Sequence, residues 1–247
     1  MAKTAKKAAK KAVPRKAAKP PAKKPVAVKK AAPAATGDKQ RFTLHGTMTS
    51  GPTYTVGLML SLCRHPFSYI HVNLREGQHK QPDYLVKNRY GQVPTLRDGQ
   101  MFLVQSAAIL MHLAAALKKF DGKTTLEKQR VNEWLFWNWD RLALPVFRLR
   151  ARARGFRQFG DEVRVMYDTE AKAALAVLEH ELAKSDWVVG KKATIADVSI
   201  YAVTRYTAEA NVDISHYPHV LAWKKRFEAL PGFGTPEQIL PMESRLI

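Results

Sequence analysis

The stretch "NRYGQVPTLRDGQMFLVQS", Asn88 to Ser106, sets two short apolar runs around an Asp-Gly pair and closes on Gln-Ser. Asp98-Gly99 between "PTLR" and "MFLV" is the strongest short-range hairpin signal a sequence can carry, because the favoured two-residue turn needs positive φ. Pro94 cannot donate to a sheet ladder, so it belongs at an edge or a strand start and leaves the backbone of Val93 for another partner, a ligand among them. "QSAAILMHLAAALKK" follows as a helix that buries Ile109, Leu110, Leu113 and Leu117. The stretch predicts ββα.

Upstream, "RFTLHG", Arg41 to Gly46, reads as a first strand of β-prone residues ending at a glycine. "PTYTVGLMLSLCRH" opens with Pro52, suited to a first helical turn, and places Val56, Met59, Leu60 and Cys63 at helical spacing. "FSYIHVNL", Phe67 to Leu74, is a second β-rich run, and "REGQHKQPDYLVKNRYG" reads as a loop with one helical turn at most. The first half is therefore βαβ followed by ββα.

Downstream of about residue 124 the pattern changes to long helical periodicity with no further strand signal. "TTLEKQRVNEWLFWNWDRLALPVFRLRARARGF" is one long helix or two pieces joined near Pro145. "DEVRVMYDTEAKAALAVLEHELAKSD" repeats apolar residues at Leu175, Leu178 and Leu182. "TIADVSIYAVTRYTAEA" opens with a capping box between Thr194 and Asp197, and "PHVLAWKKRFEAL" ends at Pro231-Gly232. An all-helical unit follows a small α/β unit.

The chain has 247 residues and a formal net charge of +20. Eleven lysines, one arginine and no acid fall within residues 1–36, so +12 of that charge sits there and +8 on the remainder. This segment of Ala, Lys, Pro and Val has no aromatic residue and buries too little apolar surface to offset the entropy of ordering, so it reads as disordered. It resembles the lysine-alanine-proline tails of linker histones and bacterial histone-like proteins. It reads either as a solubilising extension or misplaced start, or as a non-specific polyanion tether for nucleic acid, polyphosphate or an acidic surface, whose binding would fall with salt. No apolar run approaches the roughly 18 residues of a membrane span. A single cysteine, Cys63, rules out an intramolecular disulfide, a CxxC pair and a cysteine-based zinc site, and fits a reducing cytoplasm. There is no Gly-rich phosphate loop and no HExxH, so neither a nucleotide nor a metal is implied.

Several motifs in the right order resemble the cytosolic glutathione transferases, of the bacterial and phi-like serine type. "LHGTMTSGPTYTVGLML" is similar to that superfamily's first strand-helix junction, "GQHKQPDYLVKNRYGQVPTLRDGQMFLVQSAAIL" to the stretch ending in a cis-proline and a Glu-Ser or Gln-Ser pair, and "DWVVGKKATIADVSIYA" with "HYPHVLAWKKRFEALPGF" to its helical domain. The similarity spans residues 41 to about 233. The disordered basic tail, 1–40, lies outside it; the resemblance implies a thioredoxin-like glutathione-binding domain at 41–120, followed by an all-helical domain at 121–247. It also implies a cytoplasmic homodimer that uses glutathione as co-substrate and no metal.

The resemblance also implies residue roles. A cis peptide before Pro94 would turn the backbone of Val93 toward the cysteinyl backbone of glutathione. Gln105 and Ser106, at a helix start, would meet the γ-glutamyl carboxylate. His79 and Lys80 match the positions facing the glycyl carboxylate, and Gln92 matches a neighbour of the peptide backbone. The glutathione thiol titrates at roughly pKa 8.5, so a transferase must stabilise its thiolate. Ser50 is the candidate donor, Thr53 the runner-up, and Thr47 and Thr49 lie close by. Pro52 stands where the family has Asn, and Thr55 where it has Lys. Cys63 lies on the apolar side of the helix and reads as core.

The small electrophile would enter between the domains, against the helix carrying Trp134, Trp137 and Trp139, some of which must pack the bundle. Arg148, Arg150, Arg152, Arg154 and Arg157 read as a solvated face, with a bias toward anionic electrophiles as the other possibility. His45 replaces the family's common Tyr without an evident catalytic need. The chemistry expected is transfer of the thiolate to an electrophile, or its use to reduce peroxides or disulfides. Two other readings are a glutathione-binding protein with little catalysis and a polyanion-binding protein acting through its tail.

Overall fold

The computed structural model describes residues 40–241, Met1, and the backbone of Arg245 and Leu246. The expectations for the basic tail at 1–40 fall almost entirely outside the described residues.

The first half runs β1 (Phe42–Gly46), α1 (Gly51–Leu62), β2 (Phe67–His71), a 3-10 turn (Gln78–Lys80), α2 (Pro82–Leu85), β3 (Thr95–Asp98), β4 (Met101–Val104) and α3 (Ser106–Leu117). The sheet order is β4-β3-β1-β2-β5, with β1 parallel to β2 and antiparallel to β3. All five residues of β1 are buried, as the central strand of a covered sheet requires. The turn between β3 and β4 is Gly99-Gln100, one residue later than the expected Asp98-Gly99, because Asp98 still pairs with Met101 as the last residue of β3; Gly99 supplies the positive φ, +58°. One strand had no signal in the sequence: β5 (Arg245–Leu246) pairs antiparallel with Ser68 and Tyr69 of β2. Two residues are too short to show a period of two.

Every residue of α1 except Pro52 and Ser61 is buried, because α3 covers one side and helices of the second half cover the other. A helix enclosed all round has no polar stripe, which explains its near-continuous apolar sequence.

The second half contains α4 (Thr125–Trp137), a π-helical turn (Asn138–Ala143), α5 (Leu144–Ala153), α6 (Asp161–Leu182), α7 (Ile195–Thr204), α8 (Pro218–Glu228) and α9 (Pro236–Ile239). The interruption expected near Pro145 is not a break. The chain widens into the π turn just before it, which makes room for a ring that would clash with the carbonyl of Arg141 in a regular α-helix. Asp197 forms the capping box with Thr194 and is fully buried. Its carboxylate also accepts from the Val188 amide at 3.1 Å and the Trp223 Nε1–H at 3.0 Å. Burial pushes its pKa up to about 6 against the pull of these hydrogen bonds. Around it, Tyr201 stacks on Phe227 at 4.4 Å, with Trp223 and Phe233 edge-on to Tyr201.

The halves share one core. α1 packs on α7 and α9, and the buried Tyr54 hydroxyl donates to the Gly234 carbonyl at 2.9 Å.

Candidate functional site

Nine residues carry the sequence-based expectation of a site, and eight of them line a single cleft of about 620 Å³: Ser50, His79, Lys80, Gln92, Val93, Pro94, Gln105 and Ser106. The ninth, Thr53, does not line it. Thr53 is fully buried one turn into α1, its side chain packed against Gly46 of β1 where any added Cβ would collide with it. Its hydroxyl faces the sheet and has no hydrogen-bond partner among the described residues.

Ser50 caps α1 from an extended conformation, φ −90° and ψ 115°. Its Oγ accepts the Thr53 amide at 3.2 Å, which leaves its own O–H available to donate into the cleft. Pro52 occupies the first turn, where its missing N–H costs nothing. The loop leading to Ser50 is pinned from the helical half. Arg150 of α5 donates Nη1–H to the Thr49 carbonyl at 3.0 Å, pairs through Nε with Glu209 at 2.9 Å, and lies 3.8 Å over the Tyr206 ring. The expectation of a solvated arginine face is therefore corrected at this position, since only 7% of Arg150 is exposed. Nothing in the local sequence separates it from its neighbours, because its partners come from other elements.

The opposite wall is the loop into β3. The Val93–Pro94 peptide is cis. Two residues missed by the sequence reading hold that loop: the Tyr84 hydroxyl donates to the Gln92 carbonyl at 2.8 Å, and Asn88 Nδ2 donates to the same oxygen at 2.7 Å. Asn88 also reaches Thr95 Oγ1 at 3.1 Å. Both residues are buried, and a polar pair ahead of a Gly-X-Val-Pro segment was the available signal.

Gln105 is the N-cap of α3 and adopts φ +68°, ψ 111°, a costly conformation for a residue with a Cβ. Strain of this kind concentrates at ligand clamps. It sets the start of a 12-residue helix, with Ser106 buried in its first turn, against the cleft. Lys80 extends from the 3-10 turn and gives one N–H to the Gly91 carbonyl at 2.8 Å, keeping two more donors. Gly91 is at φ +54°, and a Cβ there would stand 2.9 Å from the His79 carbonyl oxygen, so this turn favours glycine. Burial, and secondarily the Lys80 charge, lower the pKa of His79, which favours the neutral imidazole. The positive charge of this pair is carried by Lys80.

From the helical half, Trp139, Phe147 and Ala151 close the cleft. Trp139 projects from the π turn and contacts Phe147 with ring centroids 6.1 Å apart. Trp134 and Trp137 instead pair edge-to-face with each other at 4.8 Å and pack on the core. No carboxylate lines the cleft among the described residues, while a lysine and a helix N-terminus do. That combination favours an anionic ligand.

Cys63 and His45 lie outside it. Burial pushes the Cys63 thiol up to about 11, and His45 is buried in β1 with its ring edge-on to Phe102 at 6.3 Å. Among the described residues no group of three or more His, Cys, Asp or Glu could hold a metal ion, and no helix is long and apolar enough to cross a membrane.

Residues 42–115 match the family model for the glutathione S-transferase N-terminal domain, and residues 150–231 match that for the C-terminal domain. A probable glutathione S-transferase of rice, GSTF2 (Oryza sativa subsp. japonica), is 33% identical over 179 residues, 67% of this chain and 81% of the relative. Among solved structures, a possible glutathione S-transferase from Rhodopseudomonas palustris superposes with a TM-score of 0.76 at 29% identity, covering 83% of this chain and 93% of the other. Ure2p in complex with glutathione shares the fold at 23% identity and a TM-score of 0.72, over 78% and 91% of the two chains.

Proposed function

This chain belongs to the glutathione S-transferase family, and we propose that it binds glutathione in the acid-free cleft, stabilises its thiolate with Ser50 and delivers it to a small electrophile. One observation carries the reading: a hydroxyl at one helix start, a second helix start at Gln105-Ser106, the edge-like Val93–Pro94 backbone and Lys80 all border one cleft. Glutathione has a carboxylate at each end and a thiol between, and this wall offers a counterpart to each. The γ-glutamyl carboxylate goes to the amides opening α3, the cysteinyl backbone to Val93, and the glycyl carboxylate to Lys80. His79 and Gln92 supply neutral hydrogen bonds. Residues 41–120 serve as the glutathione half and 121–247 as the half that receives the electrophile, whose wall is Trp139, Phe147 and Ala151.

Lowering the thiol pKa from roughly 8.5 by two units requires about 2.7 kcal/mol of preference for the thiolate. A hydroxyl donating to an anion contributes about 1.5–3 kcal/mol, and the dipole of α1 about 0.3–1 kcal/mol more. Those magnitudes suffice together without a cysteine or a metal. The thiol proton leaves to solvent, sulfur donates an electron pair to the electrophilic carbon, and the displaced group departs with the pair from the broken bond.

The test is calorimetric titration of the full chain with glutathione at neutral pH, with thiolate absorbance of the complex recorded alongside. Binding with thiolate formation is expected. Binding without thiolate would reduce the role to glutathione capture, and no binding would leave the family membership as fold alone. The homodimer belongs to the same proposal and is checked by sedimentation equilibrium.

A further inference from the structure

The segment between α3 and α4 and the loop between α6 and α7 enclose a separate cavity of about 720 Å³ that shares no residue with the glutathione cleft. Five lysines border it, Lys118, Lys123, Lys128, Lys191 and Lys192, against two acids, Asp121 and Glu127. Both acids are engaged at home. Asp121 pairs with Lys128 at 3.1 Å and accepts the Gly122 amide at 2.8 Å. Glu127 Oε2 accepts the amides of Lys123 at 2.6 Å and Thr124 at 3.3 Å, closing the capping box of α4. Among the described residues Lys118, Lys123, Lys191 and Lys192 form no ion pair.

The walls of this cavity are fixed. Lys118 ends α3 in the left-handed region at φ +54° and Phe120 sits at φ +59°, while the Phe120 carbonyl accepts the Ile195 amide at 2.7 Å. Behind the lysines lies an apolar floor of Ala114, Phe120, Val189 and Ala193, all buried or packed on the core. Five ammonium groups against two carboxylates leave three positive charges in excess around one concavity; this raises its potential, and the ammonium groups without a partner are best satisfied by several negative charges held close together. An isolated carboxylate meets one of them, whereas an oligophosphate chain meets several at once. The floor adds room for a flat apolar moiety.

We propose that this cavity binds a small oligophosphate-bearing ligand, of which a nucleoside triphosphate would use both the lysine rim and the apolar floor. The site is independent of the glutathione cleft and stands or falls apart from it.

The full chain is titrated calorimetrically with inorganic tripolyphosphate and with ATP at physiological ionic strength, beside the triple variant Lys118→Ser, Lys191→Ser, Lys192→Ser. The lysine-rich N-terminal segment is common to both proteins, so the difference between them reports the cavity. Affinity for both probes is expected to fall at least about tenfold in the variant, the equivalent of about 1.4 kcal/mol. Glutathione binding is expected to stay unchanged, since all three lysines are exposed and remote from that cleft. Tighter binding of ATP than of tripolyphosphate would place a base on the floor, and equal binding would leave the phosphates as the recognised part; both support the site. Equal affinities of wild type and variant, or binding of neither probe, would overturn it. So would loss in the variant of duplex DNA binding alone, which would make the rim a nucleic-acid surface.

Discussion

A serine and a threonine three positions apart compete for the same task, and depth separates them. Ser50 reaches the cleft while Thr53 is buried against Gly46, so Ser50→Ala and Thr53→Val are expected to behave oppositely. Loss of a hydroxyl donating to a thiolate removes about 1.5–3 kcal/mol, so Ser50→Ala should lower kcat/KM for conjugation about 10- to 100-fold and deplete thiolate in the complex. It also deletes the N-cap of α1, which costs about 1 kcal/mol on urea denaturation. Thr53→Val keeps the shape and removes a hydroxyl with no partner, so activity and stability should both stay within about 0.5 kcal/mol of wild type. The reverse pattern would hand the thiolate to Thr53. The sequence ranked Ser50 ahead of Thr53 only through the family pattern, because the contact that separates them is with a glycine of the neighbouring strand. His79 shows the same limit: its position was legible, and its neutral state depends on burial and on Lys80.

At the level of elements, the fit of α5 against the start of α1 connects the halves at the site. A Cβ on Gly51 would stand 2.5 Å from Phe147 Cζ, so Gly51→Ala must push the Phe147 ring away from the start of α1 and alter the cleft between Ser50 and the Trp139, Phe147 and Ala151 wall. Overpacking of this kind costs about 1–3 kcal/mol, and denaturant unfolding should show a loss in that range together with reduced conjugation. Arg150→Met leaves that packing in place but frees the Thr49 carbonyl beside Ser50. The expected signature is a fall in kcat with glutathione KM little changed, because the contacts proposed for the γ-glutamyl and glycyl carboxylates lie on other elements. A rise in KM alone would show that the arginine serves binding rather than the thiolate's alignment. Regular elements were readable from the sequence because each carries its own signal: α3 and the Thr194–Asp197 box stand where the pattern puts them, and the β3–β4 hairpin does so with its turn one residue later, at Gly99-Gln100. β5 and the inward role of Arg150 were not readable, since each depends on a partner distant in the chain.

For the molecule as a whole, acid stability should depend on a carboxylate that ties three parts of the first half together. Asp98, at the end of β3, accepts from Arg41 Nε and Nη2 at 2.9 Å each, just ahead of β1, and pairs with His112 Nε2 of α3 at 2.8 Å. The Arg41 hydrogen bonds first, and then that of His112, hold its pKa below the usual carboxylate value despite burial. A carboxylate depressed in the folded state binds fewer protons there than in the unfolded chain. Its contribution is therefore complete above the unfolded pKa of roughly 3.9 and is lost as pH falls through the lower folded value. Asp197 acts with opposite sign. Its pKa of about 6 means that the folded state holds a proton the unfolded chain has released, so its term weakens stability as pH rises toward 6. The two cannot be separated in one wild-type curve, but Asp98→Asn removes only the first. Because Arg41 is half exposed, the neutral-pH cost should be modest, about 1 kcal/mol, rather than that of a buried ion pair. The stability difference between wild type and Asp98→Asn, measured by urea unfolding across a pH series, should be constant from neutral pH down to about 4 and shrink below it. A difference that persists undiminished at the most acidic pH would mean that Asp98 acts through packing, and that the charge joining β1, β3 and α3 contributes little to holding the sheet behind the cleft.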